Sequence, residues 1–154
     1  MLPVDLINVA KALVNHSAKR PKQAELRRAV SSVYYAMFHA VARNCADSLI
    51  GSASRESGEW NRVYRALEHG AAKQQCQKAS KTGSSAGLRD FAAHFAHMQS
   101  KRHSADYDPA SRFAKSEVSA DLESALKAIA DFQRLPAEER RAFAAFVLFK
   151  DRAA

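Results

Sequence analysis

The sequence predicts an all-α protein, with one domain over residues 1–154 folded as an up-and-down bundle of about five to six helices. Three observations support this prediction. Apolar residues recur every three or four positions along most of the chain, as on the buried face of an amphipathic helix. No segment shows the sustained alternation of a β-strand. The connections between the periodic segments are short, which is typical of a helical bundle.

The first two predicted helices occupy the N-terminal third of the chain. The apolar face of the first consists of Val4, Ile7, Ala10, Leu13 and Val14. Pro21 suits the first turn of the second helix, because the amide hydrogen that proline lacks would have no partner there. Gly51 is expected to end this helix. Its core stripe consists of Leu26, Val30, Val33, Met37, Val41, Cys45 and Leu49.

The third predicted helix begins near Trp60 and continues into the polar residues 71–80. Its apolar positions are Trp60, Val63, Tyr64 and Leu67. The fourth predicted helix ends before Pro109, since proline cannot continue a helix and biases Asp108 away from helical geometry. Its apolar face consists of Leu88, Phe91, Ala92, Phe95 and Met98.

The last two predicted helices complete the bundle. Ser116 can cap the fifth, in which Val118, Leu122, Leu126, Ile129 and Ala130 face inward. The sixth opens at Pro136, and Glu138 and Glu139 favour the positive end of its dipole. Lys150 and Arg152 suit its C-terminal end. Its apolar face consists of Phe143, Phe146 and Val147.

Composition narrows the classes of partner. A formal net charge of +8 favours polyanionic partners. No apolar run approaches the ~20 residues that span a bilayer, so no membrane partner is expected. Cys45 and Cys76 lie inside helical patterns without a CxxC pair or a His/Cys cluster, which indicates neither a zinc site nor a disulfide. The sequence therefore predicts no cofactor and no metal, and a reducing cytoplasm is the expected compartment.

Basic residues form two clusters along the chain. One precedes and opens the second helix, and the other surrounds the end of the fourth. Each cluster is compatible with a polyanion-binding surface and equally with a solvated helix end. The members are Arg20, Lys22, Arg27 and Arg28 in the first cluster, and Lys101, Arg102, Arg112 and Lys115 in the second.

The second helix carries a polar and aromatic line nearly opposite its core stripe. Arg28, Ser32, Tyr35 and His39 follow each other at steps of four, three and four residues, so their side chains stack along one line. Small residues lie between the large ones, a pattern that suits a helix enclosed on more than one side. Two interpretations stay open: Tyr35 and His39 are interior polar residues satisfied by neighbouring helices, or the line borders a cleft shared with the helix that carries Arg102.

Two segments carry a resemblance to a known family. LRRAVSSVYYAMFHAVA, residues 26–42, followed about sixty residues later by KRHSADYDP, residues 101–109, is similar to the HEPN family of small helical proteins. The first segment resembles the bacterial pattern Arg-x-x-x-Ser-x-x-Tyr-Tyr-Ala-x-Phe-His. Arg28, Ser32, Tyr35, Ala36, Phe38 and His39 match or nearly match it, and Arg102, Ala105, Asp106 and Tyr107 match the Arg-x-x-Ala-Asp-Tyr element of the same branch.

The resemblance implies a bundle of roughly five helices that pairs as a homodimer. In catalytic HEPN proteins, an arginine and a histidine four to six residues further on form a metal-independent ribonuclease site at the dimer interface. Such proteins occur as toxins with a nucleotidyltransferase antitoxin and in defence systems, whereas members that lack the motif serve in binding.

The histidine of that catalytic pattern is missing here. Arg102 suits the stabilisation of phosphate charge, because its planar guanidinium is always charged and can contact two oxygens. The positions where the family has histidine hold Tyr107, Asp108 and Pro109. Tyr107, with a reference pKa of ~10, is a poor base but can donate a hydrogen bond or stack on a nucleobase. Asp106 lies four residues after Arg102, and on an unbroken helix the two can form an ion pair.

Three functional hypotheses follow. The first is an RNA- or nucleotide-binding module of a defence or toxin–antitoxin system with a degenerate ribonuclease motif, whose binding residues are Arg28, Ser32, Tyr35, His39 and His103. The alternative is an active metal-independent ribonuclease with Arg102, Asp106 and Tyr107 as catalytic residues and His39 or His103 as the proton carrier. A further alternative is a protein-interaction scaffold with no nucleic-acid role.

Overall fold

The computed structural model describes residues 1–16 and 20–151. Within these residues it is all-helical, with seven α-helices, one short 3-10 turn at Ser52–Ser54 and no strand. The predicted fold class is confirmed. The helices are α1 (Pro3–Asn15), α2 (Gln23–Leu49), α3 (Gly58–Tyr64), α4 (His69–Thr82), α5 (Ala86–Tyr107), α6 (Lys115–Gln133) and α7 (Ala137–Leu148).

Helix α2 is the centre of the bundle. It contacts α1, α3, α5, α6 and α7, and thirteen of its residues are buried. Five of the buried residues are alanines, which let neighbouring helices approach closely. The prediction that α2 is enclosed on more than one side is therefore correct. Leu49, assigned to the core stripe, is instead 40% exposed, because it is the last residue of the helix and lies beyond its packing partners.

The single helix predicted from Trp60 to residue 80 is wrong, because the chain forms two helices there. Helix α3 ends at Tyr64 and α4 begins at His69. Neither glycine nor proline lies in the break. Tertiary packing causes it: Leu67, in the turn, is buried, and the rings of Trp60 and His69 on either side both contact residues of α2.

The predicted helix ends agree with the structure in two places and differ in three. Gly51 follows α2 with φ = +116°, a conformation that glycine adopts without strain, and α5 ends at Tyr107 before an extended Asp108. Ala114, and not Ser116, is the N-cap of α6, and it directly follows the buried Phe113. The other two are at Pro21, which precedes the Lys22 cap of α2, and at Lys150, which lies beyond α7; Arg152 is outside the described residues. Val4, assigned to the apolar face of α1, is instead 48% exposed.

The core continues through α5, α6 and α7. The rings of Phe91 and Phe132 stack with their centroids 4.4 Å apart, and Phe143 meets both edge-on. Such aromatic contacts, together with the apolar area that they bury, fix α5 against α6 and α7. None of the helices in residues 1–16 and 20–151 is long and apolar enough to cross a membrane.

Candidate ligand-binding cleft

A cleft with a volume of about 730 Å³ lies between α2 and the C-terminal end of α5. Its volume is in the range of small-molecule sites in proteins, roughly 300–1,000 Å³. One wall is α2 and the other is the last turn of α5. Leu6 of α1 and Met1 also border the cleft. The remaining lining residues are Ala24, Arg27, Arg28, Ser31, Ser32, Tyr35, His39, Ala105, Asp106 and Tyr107.

The four side chains of the predicted α2 line all border this cleft. They are Arg28, Ser32, Tyr35 and His39. Arg28 is exposed and has no ion-pair partner among the described residues. The rings of Tyr35 and His39 are 6.4 Å apart. The cleft wall therefore combines a solvent-facing cation, a hydroxyl group and two aromatic surfaces.

His39 belongs both to the cleft and to the interior. Its Nδ1 shares a hydrogen bond with the Tyr64 hydroxyl, and the two rings stack 5.7 Å apart. Partial burial lowers the pKa of His39 and so favours the neutral ring. The two interpretations of this histidine coexist, because one edge of the ring is satisfied by α3 while the residue also borders the cleft.

Arg102 lies behind the cleft wall. Its side chain is only 11% exposed and is not a lining residue. The guanidinium carbon is 5.0 Å from the ring centre of Tyr34 and 5.7 Å from that of Tyr35, within the range of cation–π attraction. Its Nε is buried and has no hydrogen-bond partner within the described part of the chain.

The ion pair expected on an unbroken α5 is present. Nη1 of Arg102 lies 3.7 Å from Oδ2 of Asp106. The other carboxylate oxygen of Asp106 accepts a hydrogen bond of 2.5 Å from the hydroxyl of Ser31. Asp106 lines the cleft, so its carboxylate stands between the buried arginine and the cleft.

Tyr107 and His103 face a different direction from Arg102. Helix α5 runs unbroken through Tyr107, so residues 102 and 107 point about 140° apart around its axis. The ring of Tyr107 lies 5.0 Å from that of His103, and both side chains are exposed. Tyr107 borders the cleft but His103 does not. A single chain does not bring Arg102 and Tyr107 together.

The sequence reasoning missed His69, at the start of α4. Its Nδ1 forms a hydrogen bond of 2.6 Å with the hydroxyl of the fully buried Tyr34, and its ring stacks on Phe38 at 4.1 Å. Burial and the nearby charge of Arg102 lower the pKa of His69. Burial raises the pKa of Tyr34, so its hydroxyl stays protonated. Only a correct prediction of the α3–α4 break could have placed His69 here.

The sequence reasoning also missed what Arg27 does. Its guanidinium donates to the carbonyl oxygens of Ala105 (2.8 Å) and Asp108 (2.9 Å), and also to those of Pro109 and Ser111. These acceptors lie at and just beyond the C-terminal end of α5. Gln23 adds two hydrogen bonds to the backbone of Phe113, of 2.8 and 2.9 Å. Arg27 therefore positions one wall of the cleft and is not a free cation.

A signal for these residues was present in the sequence. The pattern Arg-x-x-x-Ser-x-x-Tyr-Tyr fits in exact register when it starts at Arg27, and it then falls on Ser31, Tyr34 and Tyr35. These are the α2 side chains that contact the end of α5 or flank Arg102.

Lys101, in the second basic cluster, is not a free cation either. It forms ion pairs with Glu117 (2.5 Å) and Asp121 of α6.

No family model, curated protein or solved structure matches this chain. Among residues 1–16 and 20–151, no group of three or more His, Cys, Asp or Glu side chains is arranged to hold a metal ion.

Proposed function

We propose that this protein is a HEPN-like, cytoplasmic RNA- or nucleotide-binding module of a defence or toxin–antitoxin system, and that it binds its ligand in the cleft between α2 and α5. The observation that carries the proposal is the composition of the cleft: the exposed Arg28 stands beside Ser32, Tyr35 and His39, opposite the 67% exposed Tyr107. Single-stranded nucleic acid is typically bound by cations on phosphate and aromatic rings on bases.

The size of the cleft supports an unpaired strand or a nucleotide over a duplex. A volume of about 730 Å³ accommodates one or two nucleotides. Unstacked bases are accessible to Tyr107 and Tyr35, whereas the bases of a duplex are not. The net charge of +8 increases the rate of encounter with any such polyanion.

We expect the purified protein to bind single-stranded RNA with an affinity that falls as salt rises, because phosphate contacts release counterions. Arg28→Ala should weaken binding by roughly five- to tenfold and reduce the slope of log K against log salt by about 0.7, the value for one phosphate contact to a single strand. Fluorescence anisotropy with a labelled oligonucleotide over a salt series measures both quantities.

Arg141→Ala is the matched control, because Arg141 is exposed on α7, away from the cleft, and the charge change is the same. Equal binding by the parent and Arg28→Ala would overturn the proposed site. Cleavage that persists in EDTA would indicate the alternative ribonuclease activity, and binding of a protein partner without RNA would indicate a scaffold. We expect binding with little or no cleavage, since Arg102 and Tyr107 do not converge in one chain.

The proposal includes a symmetric homodimer, with a nucleotidyltransferase-type antitoxin or another defence protein as a further partner. In such a dimer, Tyr107 of one subunit could approach Arg102 of the other. We expect light scattering at micromolar concentration to give twice the 17.0 kDa of the chain. A monomer at every concentration tested would contradict the dimer and remove the two-chain route to catalysis.

A further inference from the structure

Arg102 is a largely buried cation with one hydrogen-bond donor, Nε–H, that no other described residue satisfies. A guanidinium has five N–H donors, and buried charged groups normally have partners for them. Within residues 1–16 and 20–151, Nε is buried without a partner, and the carboxylate of Asp106 stays 3.7 Å from Nη1, beyond hydrogen-bond distance. The rings of Tyr34 and Tyr35 flank the group but offer no anionic atom. The described residues therefore leave at least one N–H of this cation without an acceptor.

Asp106 holds the position that an anion from the cleft would take. One of its oxygens accepts a hydrogen bond from Ser31, the other faces Arg102, and the residue borders the cleft. A hydroxyl donor and a guanidinium on two sides of one anion are also the surroundings that proteins provide for phosphate. Two anions cannot share this position, because their like charges repel at such short range.

We propose that, in the free protein, the Asp106 carboxylate occupies the binding position of a ligand phosphate. A phosphate group that enters the cleft then replaces the carboxylate between Ser31 and Arg102. The inference rests on the proposed function, because it assigns a phosphate subsite within the same cleft. A phosphate has three or more acceptor oxygens where the carboxylate has two, so it can reach N–H groups of Arg102 that Asp106 leaves free. Arg28 supplies the contact from the solvent side.

Removing the charge of Asp106 should therefore strengthen phosphate binding. Asp106→Asn keeps the shape and the acceptor for Ser31 but removes the competing anion. We expect it to bind inorganic phosphate about tenfold more tightly than the parent, a change that corresponds to about 1.4 kcal/mol. Titration calorimetry with inorganic phosphate measures this affinity. The matched control is Asp90→Asn, which makes the same charge change on an exposed residue of α5 outside the cleft.

A second substitution shows whether the gain in phosphate affinity depends on Arg102. In the Asp106→Asn background, Arg102→Gln should abolish the gain, because the proposed subsite then has no cation. Asp106→Ala serves as a second test, since it adds no amide donor of its own and provides a variant if asparagine impairs folding. A gain no larger than that of Asp90→Asn, or one that survives Arg102→Gln, overturns the inference.

The outcome is independent of the RNA experiment. If the parent binds RNA through Arg28 but Asp106→Asn binds phosphate no better than Asp90→Asn, the proposed function is supported and the phosphate subsite is contradicted. If RNA does not bind but Asp106→Asn gains phosphate affinity through Arg102, the subsite stands and RNA is the wrong ligand.

Discussion

Arg27→Ala should lower the free energy of unfolding by about 2 to 4 kcal/mol, since it removes a charged group that donates to four backbone carbonyls. Those carbonyls belong to the last turn of α5 and the loop that follows. A cation at a helix C-terminus also interacts favourably with the helix dipole. The guanidinium further lies 5.9 Å from the ring centre of Phe113, and this contact is lost as well. Urea denaturation followed by circular dichroism measures the loss.

Arg28→Ala is the matched control for this experiment. It makes the same chemical change one residue later in the same helix, but Arg28 is exposed and makes no hydrogen bond or ion pair among the described residues. We expect its free energy of unfolding to change by less than about 0.5 kcal/mol. The two variants should therefore have different defects: Arg27→Ala should impair stability, and Arg28→Ala should impair RNA binding. Equal stability of the two variants would contradict the role assigned to Arg27.

The loss of stability should be accompanied by a local effect on the cleft. Arg27 and Gln23 together fix residues 108–113 against α2, and this segment follows directly after Asp106 and Tyr107. Without Arg27, amide hydrogen exchange in this segment should increase more than in the core of α6. The cleft wall would then be less ordered before any ligand binds.

The helices could be predicted from the sequence because their apolar faces follow the helical period, and the ends at Gly51 and Pro109 could be predicted because those residues restrict the backbone directly. The break between α3 and α4 could not, since no residue there disfavours a helix. It depends on which side chains reach α2, and that is a property of the packed molecule.

The candidate site, too, could be predicted only in part. The spacing of Arg28, Ser32, Tyr35 and His39 predicts a common face, and these residues do share one cleft. Spacing along one helix carries no information on depth, however, so the burial of Arg102 behind Tyr35 was not predictable.

The folded protein should lose stability as the pH falls from 7 to 5. Burial lowers the pKa values of His39, His69 and His94 in the folded state, whereas in the unfolded chain a histidine titrates near ~6.5. Below that pH the unfolded chain binds more protons, so stability decreases with falling pH. Each histidine contributes at most about 1.4 kcal/mol per pH unit. Because water screens the partly exposed rings, we expect the total loss to stay well below the sum of three such maxima.

The pH range separates this effect from that of the carboxylates. Hydrogen bonds and ion pairs lower the pKa values of Asp108 and Glu117 in the folded protein. Their contribution is present above the unfolded value near ~4 and is lost only as the pH falls further. Chemical denaturation at several pH values between 5 and 7 therefore reports mainly on the histidines.

A substitution at His94 tests the source of the effect, since its Nε2 is buried and has no hydrogen-bond partner among the described residues. Burial is the main cause of the lowered pKa of His94; Asp121 opposes it by attracting the charged form, whereas His97 and Lys101 act with it by repelling that form. His94→Gln should remove roughly a third to a half of the pH dependence, because glutamine is neutral throughout this range. His103→Gln is the control: it replaces an exposed histidine further along the same helix, away from His94, and should leave most of the dependence intact. A parent whose free energy of unfolding is constant from pH 7 to 5, or equal slopes for His94→Gln and the parent, would show that His94 is protonated in the folded protein as easily as in the unfolded chain.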